Sequence, residues 1–415
     1  MKQVLVTIYI LLLILSGCSD ETTNPIPEDK SLKLRFTDGY PAEQCWAILY
    51  SEDGSTVIKT VAFSGDTEID FGNIETERVT ITIVRPNYSG TKKFYYIDTY
   101  NSVTKGLWTF RGSGNSSPIG SVRINQSFPF DHYDYRIFGV ENSGVAYLGG
   151  FDGSQYTCND IGIRRIIEQG KISIYNAVYN LVGGYGYYSW NPNQTFNNGT
   201  LNEYLVTLNR PLTQYNLQVS KPINRLFVNS AIDNDSKIFM LFYDRADTNT
   251  LNHKVLLPND LTVINYQTNC AYTSIDKTFN YIKISSTKPD VLNIPDTYIN
   301  ANYNAGTNSY DNILINGIGD FIRCSWSNRH LYSDSTTIWN VNATKNATSL
   351  KRVVLPTEVS SQIPNFVDSE LYKYGVTVFD YNTTSTFDEY INVFLKNTDG
   401  KTNLYTESFY YTKND

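Results

Sequence analysis

Three short stretches of this chain are echoed about ninety residues further on, and that spacing constrains the fold more than any other feature. Thr67-Glu68-Ile69-Asp70-Phe71-Gly72 is followed by Thr157-Cys158-Asn159-Asp160-Ile161-Gly162. The run from Val79 to Asn87 is matched by Lys171 to Asn180, and Phe94-Tyr95-Tyr96 by Gly186-Tyr187-Tyr188. The offsets are 90 (67 to 157), 93 (87 to 180) and 92 (96 to 188) residues. A weaker pair, Lys254 to Pro258 and Arg352 to Pro356, is offset by 98. A period of this size is that of a β-sandwich module of about 100 residues, and internal periods take precedence over local readings of a sequence.

The local pattern agrees. Leu32-Lys33-Leu34-Arg35-Phe36 and Val79-Thr80-Ile81-Thr82-Ile83 alternate with period two, the spacing of a strand with one buried face. Tyr (33), Phe (20), Thr and Asn are plentiful, which suits strands and the turns between them. No stretch of any length carries apolar residues at helical spacing. The expected class is therefore all-β, as tandem β-sandwich modules. Trp46 to Tyr50, a turn through Asp53-Gly54, and Thr56 to Ile58 read as a hairpin. By this pattern, residues 31–112 resemble the small immunoglobulin-like or carboxypeptidase-regulatory-like sandwiches of cell-surface proteins.

The start of the chain has a different character. Lys2 precedes an apolar run from Val4 to Leu15, about half the roughly 20 residues a spanning helix needs. That is the length of a signal-peptide core. Leu15-Ser16-Gly17-Cys18 resembles the lipobox of bacterial lipoproteins. The resemblance implies a signal peptide over residues 1–17, cleavage before Cys18, acylation of Cys18 and attachment to a membrane through the lipid. Ser19-Asp20-Glu21 resembles the tag that sends such proteins to the outer face of the outer membrane in diderm bacteria. Residues 18–30, with Pro25 and Pro27, read as an extended tether at about 3 Å per residue. Turn-rich stretches then divide the chain. One module is expected over 31–113, a second over 119–222, and one or two more over 223–415. The divisions fall at Gly112–Pro118, at Ser220-Lys221-Pro222 and at the loop 300–308.

Charge and motifs narrow the functional classes. The net charge is −7 and no run of Lys or Arg occurs, so a nucleic-acid partner is excluded on charge. The Gly-x-Ser-x-Gly, His-Glu-x-x-His, Walker and Cys-x-x-Cys patterns are absent. His132, His253 and His330 stand far apart, so no metal or cofactor is expected. Glu68-Ile69-Asp70-Phe71 resembles the catalytic strand of laminarinase-like glycosidases. The next glutamate, Glu75, lies seven positions on instead of four or five, and no catalytic role is assigned. Asp233-Asn234-Asp235 reads as a solvated turn. Beyond Cys18, the cysteines are Cys45, Cys158, Cys270 and Cys324. Cys270 with Cys324 is the one pairing the module scheme admits.

The candidate binding residues are the aromatics Tyr185, Tyr187, Tyr188 and Trp190, flanked by glycines and an Asn-Pro turn. Exposed, such rings stack on sugars; buried, they are core. The layout resembles that of the lipid-anchored glycan-binding subunits of nutrient-uptake systems. Three functions stay open: a non-catalytic surface protein binding a glycan or another protein, a structural subunit of the envelope or an appendage, and a hydrolase without a recognisable motif.

Overall fold

A computed structural model describes residues 31–89, 92–112, 120–127, 133–140, 143–148, 155–163, 170–232, 238–246, 248–328, 335–396 and 405–414. Cys18, His132, His330 and Asp233–Asp235 lie outside them, as does the loop 113–118. The described chain is all-β, with only short helical turns such as Thr357–Ser360 and Phe387–Tyr390.

Four successive stretches repeat one pattern of strand pairing. The first contains β1 (Ser31–Thr37), β2 (Cys45–Tyr50), β3 (Val57–Phe63), β4 (Thr67–Asn73), β5 (Arg78–Ser89), β6 (Lys92–Thr104) and β7 (Gly106–Arg111). Its first strand pairs antiparallel with the fourth and parallel with the seventh, while strands three, two, five and six lie side by side in that order. The second contains β8 (Gly120–Ser127), β9 (Tyr135–Val140), β10 (Ser143–Leu148), β11 (Gln155–Ile163), β12 (Lys171–Asn180), β13 (Tyr185–Thr195), β14 (Leu201–Thr207) and the short β15 (Arg210–Pro211). Its pairings are the same, with β15 added beside β13.

The third follows suit with β16 (Thr213–Val219), β17 (Arg225–Ile232), β18 (Ile238–Asp244), β19 (Asn252–Leu257), β20 (Val263–Thr273), β21 (Lys277–Ser285) and β22 (Val291–Leu292). The fourth has β23 (Tyr298–Asn304), β24 (Ser309–Asn316), β25 (Phe321–Ser327), β26 (Ser335–Thr344), β27 (Ser349–Lys351), β28 (Tyr372–Tyr381) and β29 (Glu407–Asn414). There β24 takes the role of first strand, and the place beside it is filled by the preceding β23, antiparallel. Ser220-Lys221-Pro222 connects β16 to β17, and residues 300–308 run from β23 through a turn into β24.

Within each repeat a three-stranded sheet covers a longer one, and the apolar side chains between them form the core. In the first, Leu32, Leu34 and Phe36 of β1 meet Trp108 and Phe110 of β7 and Val79, Ile81 and Ile83 of β5. Cys45 is buried there, and desolvation pushes its thiol up to about 12.

The longer sheets then join. Those of repeats three, four and one make a single twelve-stranded sheet in the order β18-β17-β20-β21-β29-β28-β25-β26-β6-β5-β2-β3. One junction pairs β21 with β29, the sixth strands of repeats three and four, antiparallel. The other pairs β26 with β6, parallel, from Ser335↔Lys93 to Asn342↔Tyr100. Joining covers the outer faces too. Trp46, Ile48 and Tyr50 of β2 point away from their own core into one built mostly by repeat four, around Trp326 and Trp339. All six residues of β2 are consequently buried. The tight Asp53-Gly54 turn belongs to the same contact, because Gly54 has φ 72° and a Cβ there would lie 2.7 Å from Val353 Cγ1.

This order also settles the disulfide question. Cys270 lies on β20 and Cys324 on β25, with β21, β29 and β28 between them. At about 4.8 Å per strand the separation is far beyond the roughly 7 Å a disulfide tolerates. Each thiol is buried in a different core, so the expected pairing is not made.

Candidate functional site

The four aromatics singled out from sequence sit on β13, but they do not share a surface. Tyr185 is exposed at the strand start, and Tyr187 packs half-buried on the core of repeat two. Tyr188 and Trp190 point the other way, into a seam between repeats two and three. There Tyr188 is fully buried, stacks on Tyr175 at 5.9 Å and donates its hydroxyl to Asp260, which Arg210 also holds at 3.0 Å. Trp190 meets Phe239 edge-on at 5.0 Å. The reason is layering. The long sheet of repeat two is covered on one face by its own short sheet and on the other by repeat three, so from Tyr187 to Trp190 both sets of side chains on β13 lie against protein.

Glu68 and Asp70 project outward from β4, paired with Arg35 at 2.9 Å and Lys33 at 3.4 Å. His253 is buried on β19. Among the described residues no group of three or more His, Cys, Asp or Glu side chains is arranged to hold a metal.

An aromatic surface of the expected kind does exist, at the junction of repeats three and four. The register places Tyr272 of β20 opposite Phe279 of β21, and Phe279 opposite Tyr411 of β29. Three rings thus lie abreast on three adjacent strands, with Phe409 two residues along β29. Tyr272 and Phe279 stack with centroids 5.8 Å apart and planes 15° apart, and Phe279 stands 6.4 Å from Phe409. Cross-strand aromatic pairs of this sort stabilise the junction as well as shaping it. Phe279 and Phe409 are the buried floor, while Tyr272 and Tyr411 are partly open.

Walls rise on both sides of this floor to enclose a cleft of about 320 Å³. One wall is Lys221-Pro222, between β16 and β17. The other is Asp296-Thr297-Tyr298, where the chain enters β23. The two are tied by Lys221 Nζ, 2.7 Å from Asp296 Oδ1 and 2.5 Å from the Pro295 carbonyl. The Lys221 hydrogen bond holds the Asp296 carboxyl below the ordinary carboxylate range. Lys277 Nζ lies 5.7 Å from the Tyr272 centroid, within reach of its ring face. Tyr298 is half exposed, and among the described residues the hydroxyls of Tyr272 and Tyr298 have no hydrogen-bond partner.

The cleft therefore combines an apolar ring floor with hydroxyl donors, an ammonium and a carboxylate. That is the usual make-up of a small-ligand site, mostly apolar with a few polar groups that fix orientation. Its residues are spread from Lys221 to Tyr411, and only strand order assembles them. The signal available in the sequence was the aromatic pair Tyr272 and Phe279, astride the Ser274–Asp276 turn. No family model matches this chain, and no curated protein matches it.

Proposed function

We propose that this chain is a lipid-anchored, non-catalytic binding protein of the bacterial outer surface, and that it holds a glycan in the cleft between its third and fourth repeats. The row Tyr272–Phe279–Tyr411 carries the reading. A pyranose presents a face of C–H groups that packs on aromatic rings and a rim of hydroxyls that need polar partners. The cleft supplies rings below and the free hydroxyls of Tyr272 and Tyr298, Lys277 and Asp296 at the rim. The lipobox at Leu15–Cys18 supports the anchor, and Ser19-Asp20-Glu21 supports the outward orientation. The intervening repeats would serve as the scaffold that fixes the site.

The test uses the chain with Cys18→Ala, which is expected in the soluble fraction while the wild type stays with membranes. Screened against a panel of bacterial, plant and host glycans, it should bind a defined subset. Tyr272→Ala and Tyr298→Ala should each weaken that binding about tenfold, or ~1.4 kcal/mol. Tyr298→Ala should leave the melting temperature nearly unchanged, since it is a surface position. A chain that binds no glycan, or whose binding survives both substitutions, would sink the proposal.

A further inference from the structure

The third strand of every repeat is a potential sheet edge, and three of the four are engaged by another repeat. β26 is paired along its length by β6. β18 ends the twelve-stranded sheet, but tyrosine hydroxyls from repeat two occupy its outer backbone groups. Tyr179 Oη donates to the Tyr243 carbonyl at 2.6 Å and accepts from the Tyr243 amide at 3.0 Å, and Tyr135 Oη accepts from the Arg245 amide at 2.9 Å. β10 lies against β18 in the same seam. The exception is β3, at the far end of the sheet. Among the described residues no backbone group of β3 bonds outside β2. Val57 and Ile58 are 41% and 51% exposed, and Ala62 is exposed as well. The strand contains no proline, and a single Lys59 is its only charge. An edge of this kind is a template for another strand.

We infer that β3 is a self-association edge, at which two copies of this chain pair β3 antiparallel to β3 across a two-fold axis. Two observations select a second copy as the occupant. First, the molecule already joins like strands this way, because the β21–β29 junction pairs two sixth strands antiparallel. Second, β3 is regular from Lys59 to Phe63, beyond a bulge at Ile58, and the segment centred on Thr60 is complementary to itself. With Thr60 on the axis, Thr60 pairs with Thr60 inside that regular stretch. Lys59 then faces Val61, so the two ammonium groups are never opposite one another. Thr–Thr and apolar cross-strand pairs are favourable, whereas like charges directly opposite are not. A contact of this isologous type closes on itself as a dimer and does not propagate.

The experiment uses the Cys18→Ala chain from residue 18 onward, which retains every described residue. Sedimentation velocity from low micromolar to submillimolar concentration should show a monomer–dimer equilibrium. Thr60→Lys places two lysines opposite each other on the axis, and should weaken the dimer at least about tenfold. Thr60 is partly exposed and makes no part of either adjoining core, so the monomer should melt nearly as before. Thr60→Cys should give a disulfide-linked dimer under mild oxidation much faster than Val182→Cys, an 85% exposed control away from the edge. A wild type that remains monomeric throughout overturns the inference. So does a dimer that Thr60→Lys leaves intact, or Thr60→Cys cross-linking no faster than the control.

Discussion

The two ends of the twelve-stranded sheet face one problem and meet it differently. β18 and β3 are both third strands, and each turns an unpaired backbone edge outward. At the β18 end, repeat two lays the outer face of its long sheet against the edge. The residues there are Tyr135, Tyr175 and Tyr179, each ending in a hydroxyl. A phenol can donate and accept at once, so Tyr179 alone satisfies both backbone groups of Tyr243. The partners Leu241, Tyr243 and Arg245 are spaced by two, as the alternation of a strand edge requires. At the β3 end no such layer is present among the described residues, and β-branched side chains meet solvent instead. A capped edge is a closed part of one molecule, while a bare edge is a surface for meeting another.

The sharpest way to break this comparison is to remove the cap. Tyr179 is fully buried and stacks on Phe242 at 5.2 Å. Tyr179→Ala removes both the ring and the two hydrogen bonds, and should cost about 3–5 kcal/mol in urea unfolding. Tyr179→Phe keeps the ring but leaves the Tyr243 amide and carbonyl without partners, which should cost about 1–3 kcal/mol. If the phenylalanine variant unfolds like the wild type, the hydroxyl is not what seals the edge.

Much of this arrangement could be read in the sequence, and the limit has a physical cause. The three stronger echoes fall on equivalent strands, β4 and β11, β5 and β12, and β6 and β13, while in the weaker pair Lys254 to Pro258 ends β19 and Arg352 to Pro356 follows β27. Each position in a repeat keeps its own pattern because each faces the same internal core. What one repeat presents to another follows no such rule. In Lys171 to Asn180, Ile172, Ile174 and Val178 face the core of repeat two, while Tyr175, Ala177 and Tyr179 face repeat three. Both sets read as apolar, so alternation disappears, and Tyr188 and Trp190 could pass for an exposed platform. The cleft row was illegible for the same reason. Tyr411 is brought beside Phe279 only by the β21–β29 junction, and strand order between repeats is not written in any local period.

Asp244 gives a second, smaller handle on the capped end. Burial raises its pKa above the usual carboxylate value, nearby Asp134 adds to this, and the Tyr135 hydrogen bond at 2.9 Å partly opposes it. A carboxyl with a raised folded-state pKa is protonated in both states below its unfolded value of about 4, where its contribution to stability is complete. As pH rises through the folded pKa, that contribution is lost, because the unfolded chain ionises more easily. Asp244→Asn removes the charge and keeps an oxygen for Tyr135 to donate to. It should melt above the wild type at pH 7–8, and the gap should close as the pH approaches 4. A gap that does not change with pH would mean that the carboxylate is not strained by its place in the seam.

The smallest effect belongs to the bare end, and its smallness is the point. Val57 and Ile58 are exposed and make no part of either adjoining core. Substituting both by threonine keeps the β-branched shape, so the monomer should change by no more than about 0.5 kcal/mol. Hydrogen exchange provides the matching local view. In dilute solution, the amides of β3 that do not face β2 should exchange quickly, while those of Tyr243 and Arg245, held by Tyr179 and Tyr135, should exchange slowly. On concentration, the β3 amides should slow and those at the β18 end should stay as they were, since among the described residues β3 alone of the two edges has a vacant pairing face. Slow exchange of all β3 amides in dilute solution would show that the far end is covered within a single molecule, and the contrast between the two ends would then fall.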